Sequence, residues 1–487
     1  MHVAIIGNGI AGVTAARWLR KLDDSVRITL ISAETDYFFS RTALMYVYMG
    51  HMRMEDLMPY EPFFWEKNRI DLRRAFVERV DTKGKLLHFG GGGELQYDKL
   101  VLATGSTWNK FGWPGQDLER VRGMVSAQDL EYLEDHTDEI ERAVIVGGGL
   151  IGIELAEMLH SRQIPVSLLI RESSYWSNAL PPEESRMVSR HIKSHHIDLR
   201  EDTELDTIHD DGTGAAGSIT TKDGEVIECQ YVGLTAGVHP NIDFLRDAEG
   251  LDLGRGIKVN NYLETSVPDV YAIGDCAELL EPKPGRRPIE AIWYTGRMMG
   301  ETVAYNILGR KVGYDPGIWF NSAKFIDLEY QVYGEVPAHG RDGLASLYWE
   351  HPEGDRAIRI NYEESDGTIR GFNLMGVRYR HEVCEKWIKD GKHVEEVLQE
   401  LGMANFDPEF YEEYEGEVIK LYNQQTGNNL TLEKKRGLDN VLRYLGFGKK
   451  RNRAFVKPAK PCLASQPESH ATPQKAADEV QKSETVN

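Results

Sequence analysis

The chain has 487 residues, 41% of them hydrophobic and 47 of them glycine, a length that exceeds one ordinary core and implies two to four domains. Its formal net charge of −20 argues against nucleic acid as the main partner, because a phosphate backbone calls for a basic face.

The first predicted strand is the apolar run over 3–6, which leads into Gly7-Asn8-Gly9-Ile10-Ala11-Gly12. A helical pattern of small apolar residues follows at Val13, Ala15, Ala16 and Leu19. Strand, GxGxxG and helix in that order make a dinucleotide cradle. The first glycine permits the tight turn, the second lets the backbone approach a pyrophosphate, and the third lets helix and strand pack closely. The phosphates then sit at the positive end of the helix. A glycine-rich turn without a ligand is the bland alternative.

A second strand over 27–31 ends at Ser32-Ala33-Glu34. An acid about twenty residues after the glycines suits a nucleotide ribose, so Glu34 is the candidate, against a solvated loop acid. Arg41, in the aromatic stretch Tyr37-Phe38-Phe39-Ser40-Arg41-Thr42-Ala43-Leu44, could neutralise a pyrophosphate or stay on the surface. A weak meander through Val77, Val80, Phe89 and Tyr97 leads to a buried strand over 100–102. That strand ends in Ala103-Thr104-Gly105, where backbone passes close to something.

The opening pattern then repeats. A strand over 142–146 meets Gly147-Gly148-Gly149-Leu150-Ile151-Gly152, and the helix over 153–159 begins with Ile153-Glu154. Two such units point to two nucleotide-binding domains. The second unit's acid position reads Ile170-Arg171-Glu172. A Glu there suits NADH and an Arg suits the extra phosphate of NADPH; Arg171 comes first and tilts the reading to NADPH. A hairpin over 219–227 precedes a strand over 231–235 that ends at Ala236-Gly237.

The next marked run is Val270-Tyr271-Ala272-Ile273-Gly274-Asp275. Asp275 can accept from a ligand hydroxyl or cap a helix. Cys276 reads as a small buried hydrophobe rather than a nucleophile. A helix over 292–308 closes this part. Antiparallel strands are expected within 320–374, with helices around 382–388, 410–422 and 438–445. From about Gly448 the chain is polar, with a basic run from Lys449 to Lys460 that reads as a solubilising tail or a membrane-surface anchor.

Four cysteines, Cys229, Cys276, Cys384 and Cys462, form no CxxC, so neither a disulfide framework nor a metal site is expected and a cytoplasmic location is. No stretch approaches the roughly 20 apolar residues of a membrane span, and no signal peptide is read before the first strand.

These motifs together resemble the FAD/NAD(P)-dependent pyridine nucleotide-disulfide oxidoreductase superfamily over roughly 1–315. The resemblance implies an α/β fold of two Rossmann-like domains plus an α+β C-terminal domain. The FAD-binding domain would take 1–113 and 243–315, with an NAD(P)H-binding domain inserted at 114–242. An interface domain would take 316–446 and a disordered tail 447–487. Gly7, Gly9, Ile10, Ala11 and Gly12 would cradle FAD, with Glu34 on its ribose, Arg41 on its pyrophosphate and Ala103, Thr104, Gly105, Gly274 and Asp275 around it. Gly147, Gly149, Leu150, Ile151, Gly152, Arg171 and Gly237 would hold NAD(P)H, and Glu154 would position its nicotinamide or be only a helix acid.

Thiol-using members of the superfamily place a cysteine where this chain has Thr42. The pattern is similar instead to ferredoxin, rubredoxin and nitrite reductases. That branch implies transfer from NADH or NADPH to FAD and then to a small iron–sulfur carrier. The alternatives are a peripheral-membrane NADH:quinone reductase and a redox-sensing flavoprotein. The resemblance also admits a homodimer.

Overall fold

The computed structural model describes residues 1–433 apart from 408 and 411. The helix expected around 438–445, the basic run from Lys449 to Lys460, Cys462 and the tail over 447–487 lie outside the described residues.

The strand His2–Ile6 is the centre of a five-stranded parallel sheet. Arg27–Ser32 and Ile70–Arg74 lie to one side, Lys99–Leu102 and Val270–Ala272 to the other. Val3, Ala4 and Ile5 are fully buried because both faces of the sheet are covered. The helix Ile10–Leu22 packs against Trp293–Ile307. Small residues let their backbones meet: a Cβ on Gly300 would lie 2.5 Å from the Ala11 carbonyl oxygen.

The second sheet repeats the first. Ala143–Val146 is central, Val166–Leu169 and Asp198–Arg200 lie to one side, and Tyr231–Leu234 and Val121–Arg122 to the other, all parallel. Its strands fall between Lys99–Leu102 and Val270–Ala272 in the chain, so this sheet is an insertion into the first. Chain entry and exit pair as an antiparallel ribbon, Ser106–Trp108 with Val238–Pro240. The hairpin read from the sequence is Ala216–Thr221 with Val226–Glu228.

The third unit is a five-stranded antiparallel sheet in the order Phe320–Phe325, Leu328–Gly334, Ile369–Met375, Ala357–Glu363, Leu344–Glu350. The helices His381–Lys389, Val394–Gln399 and Glu415–Thr426 follow it. The last starts five residues later than the sequence reading placed it, because Phe410 donates its N–H to the Asp407 carbonyl in a turn.

The sequence reading passed over the helix Pro182–Ser194. Its start signal is legible: proline at the first position, then Glu183 and Glu184 in the first turn. Glu184, fully buried, joins this helix to the antiparallel sheet. Arg359 donates to it at 2.6 and 2.8 Å, to Glu183 at 2.7 Å and to the Ser346 hydroxyl at 2.6 Å. Among the described residues no helix is long and apolar enough to cross a membrane.

Candidate functional site

The two glycine turns have the same construction. Gly7 has φ +110°, and a Cβ there would lie 2.0 Å from the Ala103 carbonyl oxygen. Gly147 has φ +132°, and its Cβ would lie 2.6 Å from the Thr235 carbonyl. A Cβ on Gly12 or Gly152 would strike the carbonyl oxygen of Gly7 or Gly147, at 2.0 and 2.4 Å. Nothing lies within 4 Å of a Cβ on Gly9 or Gly149, the positions left open for a ligand.

The first turn opens into a cavity of about 870 Å³. Gly7, Gly9, Ile10, Ala11, Glu34, Arg41, Ala103, Thr104, Gly105, Gly274 and Asp275 line it, while Gly12 packs behind the turn. Ile151 and Glu154 line the same cavity from the inserted domain. Phe38, Phe39 and Met45 give it apolar walls. Trp293 and Ile292 bring the start of the helix Trp293–Ile307 to its edge.

Glu34 and Arg41 meet each other in this wall. The guanidinium holds both carboxylate oxygens, at 2.7 and 2.6 Å, and also donates to the Val125 carbonyl. The free N–H of Ala127, at the start of the helix Ala127–His136, donates to Glu34 Oε1 at 2.9 Å. The pair leaves Glu34 a free lone-pair direction for a ribose hydroxyl. It turns most of the Arg41 fork away from the role expected of it on a pyrophosphate.

Asp275 accepts from the Ser106 hydroxyl at 2.8 Å, and burial raises its carboxyl above the ordinary value. Cys276 is buried with its thiol donating to the Leu102 and Ile273 carbonyls, and burial raises its pKa as well. It is a core residue, not a nucleophile.

Glu154 has no hydrogen-bond partner among the described residues. Burial, with the Glu157 charge one helical turn away, raises its pKa to about 7; Lys324 opposes the shift and donates to Glu157 at 2.8 Å. Gly147, Gly149, Leu150 and Gly152 form the second turn over its own strand rather than the cavity wall. Gly237, φ +102°, sits at the crossover before Val238–Pro240.

Register relates the coenzyme position to the first turn. The Gly7 N–H donates to the Ile31 carbonyl, and the Gly147 N–H donates to the Leu169 carbonyl. Three residues beyond those carbonyls stand Glu34 and Glu172. The equivalent of Glu34 is therefore Glu172, not Arg171. Arg171 is 74% exposed and pairs with Glu172 at 3.0 Å. Glu172 Oε2 would be 3.8 Å from a Cβ on Gly148, beside the turn.

Residues the sequence reading missed come from the crossover. Ser106, Trp108, Asn241 and Phe244 line the cavity, as does the segment Met124-Val125-Ser126. One signal was available: Ser126 and Asp129 form a capping box, and Asp129 also accepts from the Val125 N–H.

The lining suits FAD. It offers free helix N–H groups for a pyrophosphate, carboxylates for ribose and ribityl hydroxyls, and apolar walls for flat rings.

The family described as pyridine nucleotide-disulphide oxidoreductase matches residues 1–300. A nitric oxide reductase FlRd-NAD(+) reductase of Salmonella gallinarum is 32% identical over 373 residues, 76% of this chain and 94% of the relative. A 5,5'-dehydrodivanillate O-demethylase ferredoxin reductase subunit of a Sphingobium species is 30% identical over 386 residues, 78% and 88% of the two chains. Among solved structures, a NAD-dependent persulfide reductase from A. fulgidus superposes with a TM-score of 0.76 at 23% identity, over 88% of this chain and 84% of that one. With one glycine cradle opening into a flavin-sized cavity, a second of the same construction in the inserted domain and this match behind them, the chain belongs to the pyridine nucleotide-disulphide oxidoreductase family of FAD-dependent NAD(P)H oxidoreductases.

Proposed function

We propose that this chain passes reducing equivalents from NADH to a small iron–sulfur protein, with FAD seated in the cavity behind Gly7. The observation that carries the reading is the lining itself: Thr42 lines the cavity, and among the described residues no cysteine does. Electrons then leave without a protein thiol. The ferredoxin reductase subunit at 30% identity supports an iron–sulfur acceptor. A cytoplasmic location belongs to the same reading; Cys229, Cys276 and Cys384 are buried free thiols.

FAD held there would supply the redox chemistry that links a two-electron nicotinamide donor to a one-electron acceptor. The turn from Gly7 to Gly12 offers its N–H groups to the pyrophosphate. Glu34 accepts from the ribose, and Asp275, steadied by Ser106, accepts from the ribityl chain. The helix Trp293–Ile307 brings its positive end to the cavity edge and favours negative charge there. Glu154 and Ile151 face the cavity from the NADH side. Glu154 orients the carboxamide, and its raised pKa makes it a donor below about 7 and an acceptor above.

Two outcomes follow. Glu154→Gln fixes the side chain in one neutral form, so the change in KM for NADH between about pH 6 and about pH 8 flattens. Its stability effect has a definite sign. The folded-state pKa lies above the ordinary value of 4.5, so the folded protein loses stability as pH rises from there to about 7. E154Q therefore raises Tm at about pH 8 and much less at about pH 5, in paired melts.

The second outcome concerns the coenzyme. Glu172→Ala removes a carboxylate hydrogen bond to the ribose, roughly 1.5–3 kcal/mol, or about ten- to a hundredfold in kcat/KM for NADH. NADPH turnover, measured alongside, stays level or rises.

The acceptor is tested by supplying NADH with ferredoxin, rubredoxin or a soluble quinone. Fast reduction of an iron–sulfur protein is expected. Turnover with quinone alone overturns the assignment.

A further inference from the structure

A second cluster of ligand-bearing side chains stands away from the cavity, where the inserted domain meets the antiparallel sheet. His191, on the helix Pro182–Ser194, and His195, its C-cap, are four residues apart and share one face. Opposite them, Asp327 sits in the two-residue turn between Phe320–Phe325 and Leu328–Gly334. Nε2 of His191 is 2.6 Å from Asp327 Oδ1, and Nε2 of His195 is 3.4 Å from the same oxygen. The three donor atoms lie within 4.8 Å of one another.

The orientation of the rings favours a cation at their centre. Nδ1 of His195 lies 3.0 Å from the His191 carbonyl oxygen. A carbonyl only accepts, so Nδ1 carries a proton and Nε2 is the ring nitrogen that faces Asp327. Ring nitrogen and carboxylate oxygen face each other at 3.4 Å, a separation that a cation bound to both would bridge. His191 is partly buried. Its 2.6 Å contact is the hydrogen bond that holds the group together without an ion. Asp355 adds negative field at His191.

We propose that His191, His195 and Asp327 form a site for a divalent transition cation of the zinc class, which staples the inserted domain to the antiparallel sheet. Two imidazoles and one carboxylate suit such ions. Metal–ligand bonds of about 2.0–2.2 Å in a tetrahedron set donors roughly 3.4 Å apart. The His195 contact already has that spacing. The Asp327 side chain is 72% exposed and can swing to open the His191 contact to match. Water completes the fourth position. The site is independent of flavin chemistry and spans two units that the chain separates by 136 residues.

The test uses the full chain with its flavin, stripped of metal by a chelator and dialysed, then titrated calorimetrically with zinc chloride. One zinc per chain and a higher Tm are expected. The H191A/H195A variant loses that site. Asp327→Asn weakens it by no less than the roughly tenfold that loss of an outer-shell partner costs. Absence of saturable binding overturns the proposal. So does an undiminished site in H191A/H195A, since the remaining histidines of the chain's 15 could then be what binds zinc. Unchanged zinc affinity in D327N, a substitution on an exposed side chain, overturns it even if the double variant does not fold.

Discussion

Gly7→Ala protein is expected to purify colourless and to melt below the parent. The alanine must adopt φ +110° and place its Cβ 2.0 Å from the Ala103 carbonyl oxygen, which is backbone and cannot swing aside. Strain at such a position costs on the order of 1–3 kcal/mol before the clash is counted. The chain relieves it by moving the turn off the strand Lys99–Leu102, which dismantles the cradle. At 1.4 kcal/mol per tenfold, FAD affinity falls by roughly one to two orders of magnitude or more.

Gly9→Ala is the control. Its backbone, φ −70° and ψ −178°, is open to any residue, and nothing lies within 4 Å of the new Cβ. G9A is expected to keep its Tm and lose FAD affinity, because the methyl enters the space where a pyrophosphate approaches. The ratio of flavin to protein absorbance, with calorimetric melts, separates the two. Full flavin in both variants would refute the cradle.

Arg359→Met should destabilise the protein by about 3–5 kcal/mol. Glu184 has no exposed surface, and its carboxylate depends on Arg359 and on the Asn373 amide. Without the guanidinium a charge remains buried and unpaired. Removing both charges in E184M/R359M should recover most of the loss, because apolar side chains of similar volume replace a buried pair at little cost. Chemical denaturation of the three variants measures this. Equal losses in the single and double variants would show that packing, rather than charge, holds the helix Pro182–Ser194 to the sheet.

The nucleotide cradles were the most legible part of this chain because each is built from residues within one short segment. Gly7, Gly9 and Gly12 fix strand, turn and helix among themselves, and the sequence carries the same message again at Gly147. Glu34 was legible for the same reason. Its equivalent was not. Arg171 and Glu172 are adjacent, and which one faces the turn depends on the pairing of Val146 with Leu169, a register that one strand cannot reveal. Arg41 was found, but its partnership with Glu34 depends on the segment around Val125, which the crossover brings in from the inserted domain. The contacts hardest to foresee were those between remote residues: Arg359 on Glu184 is 175 residues away, and Asp327 meets His191 across 136. Local pattern carries no information about such pairs until the sheets have packed.

The cavity behind Gly7 is expected to hold an FAD that NADH reduces. Mixing the yellow protein with one equivalent of NADH in the absence of oxygen tests it directly. Rapid bleaching of the flavin is predicted, with colour restored on adding oxidised ferredoxin or rubredoxin. A colourless purified protein, or a flavin that stays yellow under excess NADH and NADPH, would contradict the account.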